Sequence, residues 1–172
     1  MNNNFFPNLW RFLGLVAVQV LLLKQLTVSV GEYFNILLYP LFILFLPIQL
    51  ATPYLVLLGF TVGLTVDFFS PSIGIHASAG AFSGFFRFIV FSMFAPKGGY
   101  SGKEPIFSPA HMGWQLFLQV SALFFLAHLF WYFSVDDFTV VYFGTVTLKT
   151  FCGWILTMIF VWLYTAMFNP KS

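Results

Sequence analysis

The sequence is poor in charged residues. They make up 7% of its 172 residues, against roughly one quarter in soluble domains, whereas 60% are hydrophobic and 22% aromatic. This composition excludes a soluble domain, because no polar segment is long enough to enclose a hydrophobic core of its own. The net charge is only +2 and the basic residues are spread along the chain, so we expect no binding to nucleic acid.

The sequence also lacks the residue clusters on which metal sites and most enzymes depend. Cys152 is the one cysteine and cannot form an intramolecular disulfide, and His76, His111 and His128 stand at no metal-ligand spacing. There is no Walker motif and no G-x-G-x-x-G sequence, and the serines have no neighbouring base in the sequence. We therefore predict no metal, no cofactor and no catalytic residue.

What the sequence has instead is six apolar stretches, which predict an all-α membrane protein of six transmembrane helices, since ~20 apolar residues cross a bilayer core. The second contains Pro40 and Pro47, which predict a bent or broken helix. The last is long enough to be either one tilted helix or a span preceded by an interfacial segment. The chain, residues 1–172, is expected to be a single membrane domain with spans near 9–28, 34–50, 54–69, 75–95, 113–133 and 138–168.

The distribution of charge predicts the orientation, because cytoplasmic ends of membrane helices are enriched in lysine and arginine. With six spans and a cytoplasmic N-terminus, the basic residues fall mostly inside and the acidic ones outside. We therefore expect both termini in the cytoplasm. The inner ends then carry Arg11, Lys97, Lys103 and Lys171, and the outer ends carry Lys24, Glu32, Asp67, Asp136 and Asp137.

Two glycine pairs predict a closely packed helical hairpin in the stretch 59–87. Gly59 with Gly63, and Gly80 with Gly84, have the spacing of four residues that lets membrane helices approach closely. If the two helices are antiparallel and joined at 70–72, one register places Gly63 opposite Gly80 and Gly59 opposite Gly84. The same register places the turn that follows Gly63 in the first helix opposite the start of the second helix.

That next turn holds the ionisable residues of the hairpin. Asp67 would face His76, and Arg87 would lie well inside its span. Ionisable residues inside a membrane raise a functional question by default. We favour a structural role in which a polar contact locks the packing of the helices, with a proton relay through Asp67 as the alternative. The counter-ion of Arg87 remains open.

The hairpin also carries a motif of a known family. The pattern G-L-x-x-D-F-F-S-x-x-x-G-x-H-A resembles the hairpin of the MreD family of bacterial rod-shape-determining membrane proteins. The chain length, the six expected spans and the scarcity of charge are similar over nearly the whole chain. The motif residues present here are Gly63, Asp67, Gly74 and His76, and the resemblance gives none of them a catalytic role.

This resemblance implies a non-enzymatic subunit of the cell-elongation machinery in the bacterial cytoplasmic (inner) membrane, supporting peptidoglycan synthesis. The implied partner is a bitopic scaffold protein of the MreC type, and through it MreB, RodA and the transpeptidase, within the lipid bilayer. Whether the chain forms homo- or hetero-oligomers stays open. The family is also similar in fold to the S-components of energy-coupling-factor transporters, which implies an S-component-like helical bundle.

That similarity supplies the alternative, a vitamin- or small-molecule-binding S-component. Such a subunit would contact its transport module through small residues four apart in the first span, whereas Gly14 and Ala17 are not at that spacing. A third possibility is an intramembrane enzyme acting on lipid, for which Lys24, Asp67 and His76 could gather at the outer face. We rank the three functions in this order.

Overall fold

The computed structural model of the protein describes residues 5–31, 33, 35–72, 74–95, 99–100, 106–138 and 143–168. Within these residues the regular structure is helical, and the only strand-like pairing is an isolated bridge between Pro47 and Ile106. The all-α prediction is therefore confirmed. The helices are α1 (Phe5–Ala17), a π-helical segment (Val18–Leu23), α2 (Lys24–Val30), α3 (Leu41–Phe45), α4 (Thr52–Phe68), α5 (Ile75–Met93), α6 (Pro109–Met112), α7 (Trp114–Asp137) and α8 (Phe143–Phe168).

The described part of the chain contains four helices that are long and apolar enough to cross a membrane. They are α5, α7, α8 and the run Phe6–Thr27, in which α1, the π-helical segment and α2 are continuous. Helix α4 is apolar but shorter, at 17 residues, or about 26 Å at 1.5 Å per residue. The described helices therefore support the prediction of a membrane protein, but they do not confirm six spans.

Two predicted spans are not among these four helices: 54–69, which forms the shorter α4, and 34–50. Only α3, a helix of five residues, forms there. The chain has no regular secondary structure around Ile36 and Leu37 and is irregular again after Phe45, as the two prolines led us to expect. Residues 36–46 are all buried, so this segment runs through the hydrophobic core and the long helices surround it.

Non-helical backbone inside a membrane protein needs partners, because lipid offers none. Gln19, in the π-helical segment, supplies two of them. Its side-chain amide donates to the carbonyl of Ile36 at 2.9 Å, and its oxygen accepts the backbone N–H of Leu38 at 2.7 Å. The hydroxyl of Thr157, on α8, accepts the N–H of Leu37 at 3.3 Å. Polar side chains from two spanning helices therefore hold the buried segment in place.

The long apolar stretch at the C-terminal end of the chain contains one continuous helix, α8, of 26 residues, or about 39 Å. Residues 139–142, near the start of that stretch, lie outside the described residues, so the choice between one tilted helix and a span preceded by an interfacial segment stays open. Lys149 pairs with Asp137 at 3.1 Å, so it lies beside the end of α7. Four charged residues used to predict the orientation, Glu32, Lys97, Lys103 and Lys171, lie outside the described residues.

Candidate functional site

Helices α4 and α5 form the predicted hairpin, and its glycines lie at the contact. A Cβ atom added to Gly63 would overlap the carbonyl of His76, and one added to Gly80 would overlap the carbonyl of Gly59. Because these neighbours are backbone atoms, the two helices can approach this closely only where side chains are absent. The prediction of a glycine-mediated contact is therefore confirmed.

The predicted register of this contact is wrong in part. Gly80 lies between Gly59 and Gly63 instead of level with Gly63, and Gly84 packs against Leu55 instead of Gly59. The turn between the helices is the physical reason. Gly74 has a φ of 91°, a left-handed conformation that favours glycine, and it starts α5 with an offset that residue spacing does not reveal.

Asp67 serves as a cap for the neighbouring helix. One carboxylate oxygen accepts the backbone N–H of His76 at 3.1 Å, and the other accepts that of Ala77 at 2.8 Å. The first N–H groups of a helix have no partner within the helix, and a negative charge is favourable there. Asp67 therefore lies beside His76, as predicted, and its carboxylate binds the backbone N–H of that residue.

The imidazole of His76 lies in an aromatic environment. Its ring centre is 4.8 Å from that of Tyr132 and 5.5 Å from that of Tyr39, and within the described residues its Nδ1 atom has no hydrogen-bond partner. Tyr39 also contacts the ring of His128 at 5.3 Å. These tyrosines were missed in the sequence, because they come from the broken second stretch and from α7, far from the motif.

A second buried polar pair joins α5 to α7. The Ser83 hydroxyl and the Nδ1 atom of His128 are hydrogen-bonded at 2.6 Å, and the two residues are 1% and 0% exposed. Serine and histidine in contact form the core of many nucleophilic sites. Here both are sealed from any substrate, so the pair acts as an interhelical contact.

Arg87 is fully buried and binds backbone carbonyls. Its guanidinium donates to the carbonyl of Leu46 at 2.6 Å and to that of Pro47 at 3.3 Å, and it stacks over the ring of Phe91 at 4.6 Å. No carboxylate of the described residues lies within ion-pair distance of it. These carbonyls belong to the two residues that follow α3, and the carbonyl of Pro47 also accepts the backbone N–H of Leu50 at 3.2 Å. Arg87 therefore supplies hydrogen-bond donors to backbone carbonyls at the end of the buried segment.

The arrangement does not bring the predicted site residues into one cluster. Asp67, Gly74 and His76 meet at one end of the hairpin, while Arg87 lies three turns further along α5 and serves another segment. Among the described residues no three histidine, cysteine, aspartate or glutamate side chains group as metal ligands would. The chain matches no known family model, no curated protein and no solved structure.

Proposed function

We propose that this chain is a non-enzymatic membrane subunit of the bacterial cell-elongation machinery. It binds a bitopic scaffold protein of the MreC type and supports peptidoglycan synthesis from the cytoplasmic membrane, with both termini inside the cell. The proposal starts from the sequence motif around Gly63, Asp67, Gly74 and His76, which resembles that of the MreD family.

One observation carries the non-enzymatic part of the proposal: two of the three ionisable residues of the hairpin, Asp67 and Arg87, are engaged by the backbone. Asp67 accepts two N–H groups of α5, and Arg87 donates to carbonyls of the buried segment. An acid–base catalyst needs a group within reach of its substrate, with a proton free to move. Residues that bind helix ends instead hold the hairpin in a fixed shape, which is what binding to a partner protein requires.

Three of the motif residues each help to hold the hairpin in a fixed shape. Gly63 lets the helices touch, and Gly74 provides the left-handed turn that starts α5. Asp67 then fixes the start of α5 against the end of α4. The motif residues thus determine how the hairpin is built. This supports a similar architecture in the MreD family, whose members act by binding.

Depletion in a rod-shaped bacterium that encodes the chain tests the proposal. Loss of the chain is expected to round the cells and to reduce insertion of new peptidoglycan into the side wall, and a wild-type copy should restore both. A Gly14→Ala copy should restore them equally, because a Cβ at Gly14 meets nothing within 4 Å. Rods that persist while uptake of a vitamin falls would contradict the proposal and favour the S-component alternative.

A further inference from the structure

Gln119 is a polar residue on the outward face of α7, a helix long and apolar enough to cross a membrane. Its side chain is exposed, and it takes part in no hydrogen bond among the described residues. Other polar side chains at the surface of the apolar helices bond to their own helix. The hydroxyls of Thr61, Thr65 and Ser134 each donate to the carbonyl four residues earlier, at 2.8, 2.8 and 2.6 Å. The amide of Gln119 has no such partner.

The position of Gln119 along α7 places it within the apolar part of a bilayer. Helix α7 has 24 residues, and the last two are Asp136 and Asp137. A straight helix crosses a ~30 Å core in ~20 residues, so with Asp136 at one interface the core begins near residue 116 at the other. Gln119 then lies about 4 to 5 Å inside the core, and a tilt of α7 would place it deeper. An amide in hydrocarbon is costly unless it is hydrogen-bonded.

The residues in line with Gln119 have the spacing of a helix that pairs with another helix. Leu116, Gln119, Leu123, Leu126 and Phe130 follow one another at intervals of three and four residues. This is the heptad spacing of the seam between two helices that wrap around each other. Gln119 and Phe130 are exposed and the three leucines are partly exposed, so none of the five is buried within the chain. We call these five residues the α7 stripe.

We propose that the α7 stripe pairs with the same stripe of a second copy of this chain. Two copies inserted in the same orientation are related by a two-fold axis along the membrane normal, which brings their α7 helices together in parallel. Each residue of the stripe then meets its own counterpart at the same depth. A glutamine side chain is both a donor and an acceptor, so the two Gln119 amides satisfy each other. Hydrogen bonds of this kind stabilise the association of helices within membranes.

A second copy fits the stripe better than the helix of an unrelated protein does. An unrelated helix would need a polar residue at the depth of Gln119, whereas the symmetry of a dimer guarantees one. The glycine contact of the hairpin is not free for this purpose, because Gly59, Gly63 and Gly80 already join α4 to α5. The inference goes beyond the proposed role in cell elongation and does not depend on it, since the stripe is defined by this chain alone.

Energy transfer between copies in liposomes tests the proposal. The full chain, labelled with a donor or an acceptor on a C-terminal tag, would be reconstituted over a range of protein-to-lipid ratios. The account predicts transfer that follows a monomer–dimer equilibrium and exceeds that of randomly placed monomers. Gln119→Leu should raise the dissociation constant of the dimer about tenfold, because the amide pair is lost. Thr61→Val removes a hydroxyl from the outward face of α4 and should leave the dissociation constant unchanged.

Two further measurements separate hydrogen bonding from shape and locate the contact. Gln119→Asn retains an amide, so it should dimerise more tightly than Gln119→Leu. In a Cys152→Ser background, Leu126→Cys should form a disulfide between copies, because residues of the stripe meet their counterparts across the two-fold axis. Leu57→Cys, at an exposed position of α4, should not form one.

Several results would overturn the proposal. They are energy transfer no greater than that of randomly placed monomers, a Gln119→Leu dimer as tight as the wild-type one, and disulfides as efficient at position 57 as at position 126. A monomeric chain that loses a single-span partner through Gln119→Leu would also overturn it and assign the stripe to that partner. The dimer is measured with the purified chain alone and without reference to cell shape. Failure of the cell-elongation role would therefore leave the dimer standing, and failure of the dimer would leave that role untouched.

Discussion

Replacing Gly63 by alanine should separate the two helices of the hairpin. The added Cβ would overlap the carbonyl of His76 and lie 2.7 Å from the Cα atom of Ala77. Those atoms belong to the backbone of α5 and cannot rotate away, so the helix itself must move. The same two residues donate their N–H groups to Asp67, at 3.1 and 2.8 Å, and a movement of α5 would lengthen both bonds.

The expected loss can be bounded. Overpacking a tight site costs about 1–3 kcal/mol. Weakening the two charge-assisted hydrogen bonds adds to this, because bonds to charged groups contribute about 1.5–3 kcal/mol each. Against these stands the gain of ~1 kcal/mol that alanine has over glycine in a helix. We therefore expect Gly63→Ala to lower the free energy of unfolding by about 2–4 kcal/mol.

Gly14→Ala is the matched control. It lies inside α1, where a new Cβ meets nothing within 4 Å, so it gains the same helix propensity without a clash. Both variants would be unfolded in mixed micelles of increasing sodium dodecyl sulfate content, and their abundance in membranes would be measured alongside. The reasoning would be refuted if Gly63→Ala were as stable as Gly14→Ala.

Three further predictions follow from the contacts of the ionisable residues and from the distribution of charge. Asp67→Ala leaves two buried N–H groups without a partner and should cost about 2–6 kcal/mol in the same unfolding assay. Asp67→Asn keeps one acceptor and should cost about half as much. Equal losses would contradict the capping role. Arg87→Met removes the side-chain donor from the carbonyls of Leu46 and Pro47 and should cost about 2–5 kcal/mol. Arg87→Lys should be intermediate, because a single ammonium cannot reproduce the fork of the guanidinium. A Lys variant no better than Met would argue against the carbonyl contacts. Reporter fusions at Asp136 and after Lys171 should report the exterior and the cytoplasm respectively, and an exterior signal from the C-terminus would reverse the predicted orientation.

Much of the helical architecture could be predicted from the sequence, because hydropathy and helix length are local properties. The runs that became α5, α7 and α8 were located from composition alone, and the glycine spacing predicted the contact between α4 and α5. The register of that contact could not be obtained in this way. It depends on the turn at Gly74, whose left-handed conformation becomes visible only in the structure.

The contacts of the buried segment, 36–46, were a second feature that could not be predicted from the sequence. Pro40 and Pro47 predicted a break, but not where the freed backbone groups find their partners. Those partners are side chains of Gln19, Arg87 and Thr157, which lie far away in the sequence and show no local pattern. The sequence left open whether Arg87 has a counter-ion, and in the structure its guanidinium binds backbone carbonyls.

Asp67 illustrates the same point at the candidate site. Its position beside His76 could be predicted from helical geometry, whereas its choice of the backbone N–H groups over the imidazole could not. The N–H groups at the start of a helix can bind a carboxylate, as a neighbouring side chain can, and the sequence spacing is the same in both cases.

The central claim, that the chain acts by binding a scaffold protein, is tested most directly by isolating it from its own membranes. A tagged chain expressed at its native level would be extracted in mild detergent and purified, and the proteins that accompany it would be identified and quantified by mass spectrometry. Our account predicts a stoichiometric partner with one transmembrane span and a coiled-coil region, retained by Gly14→Ala and lost with Gly63→Ala. A chain that purifies with the ATPases of a transport module, and without any single-span partner, would contradict it.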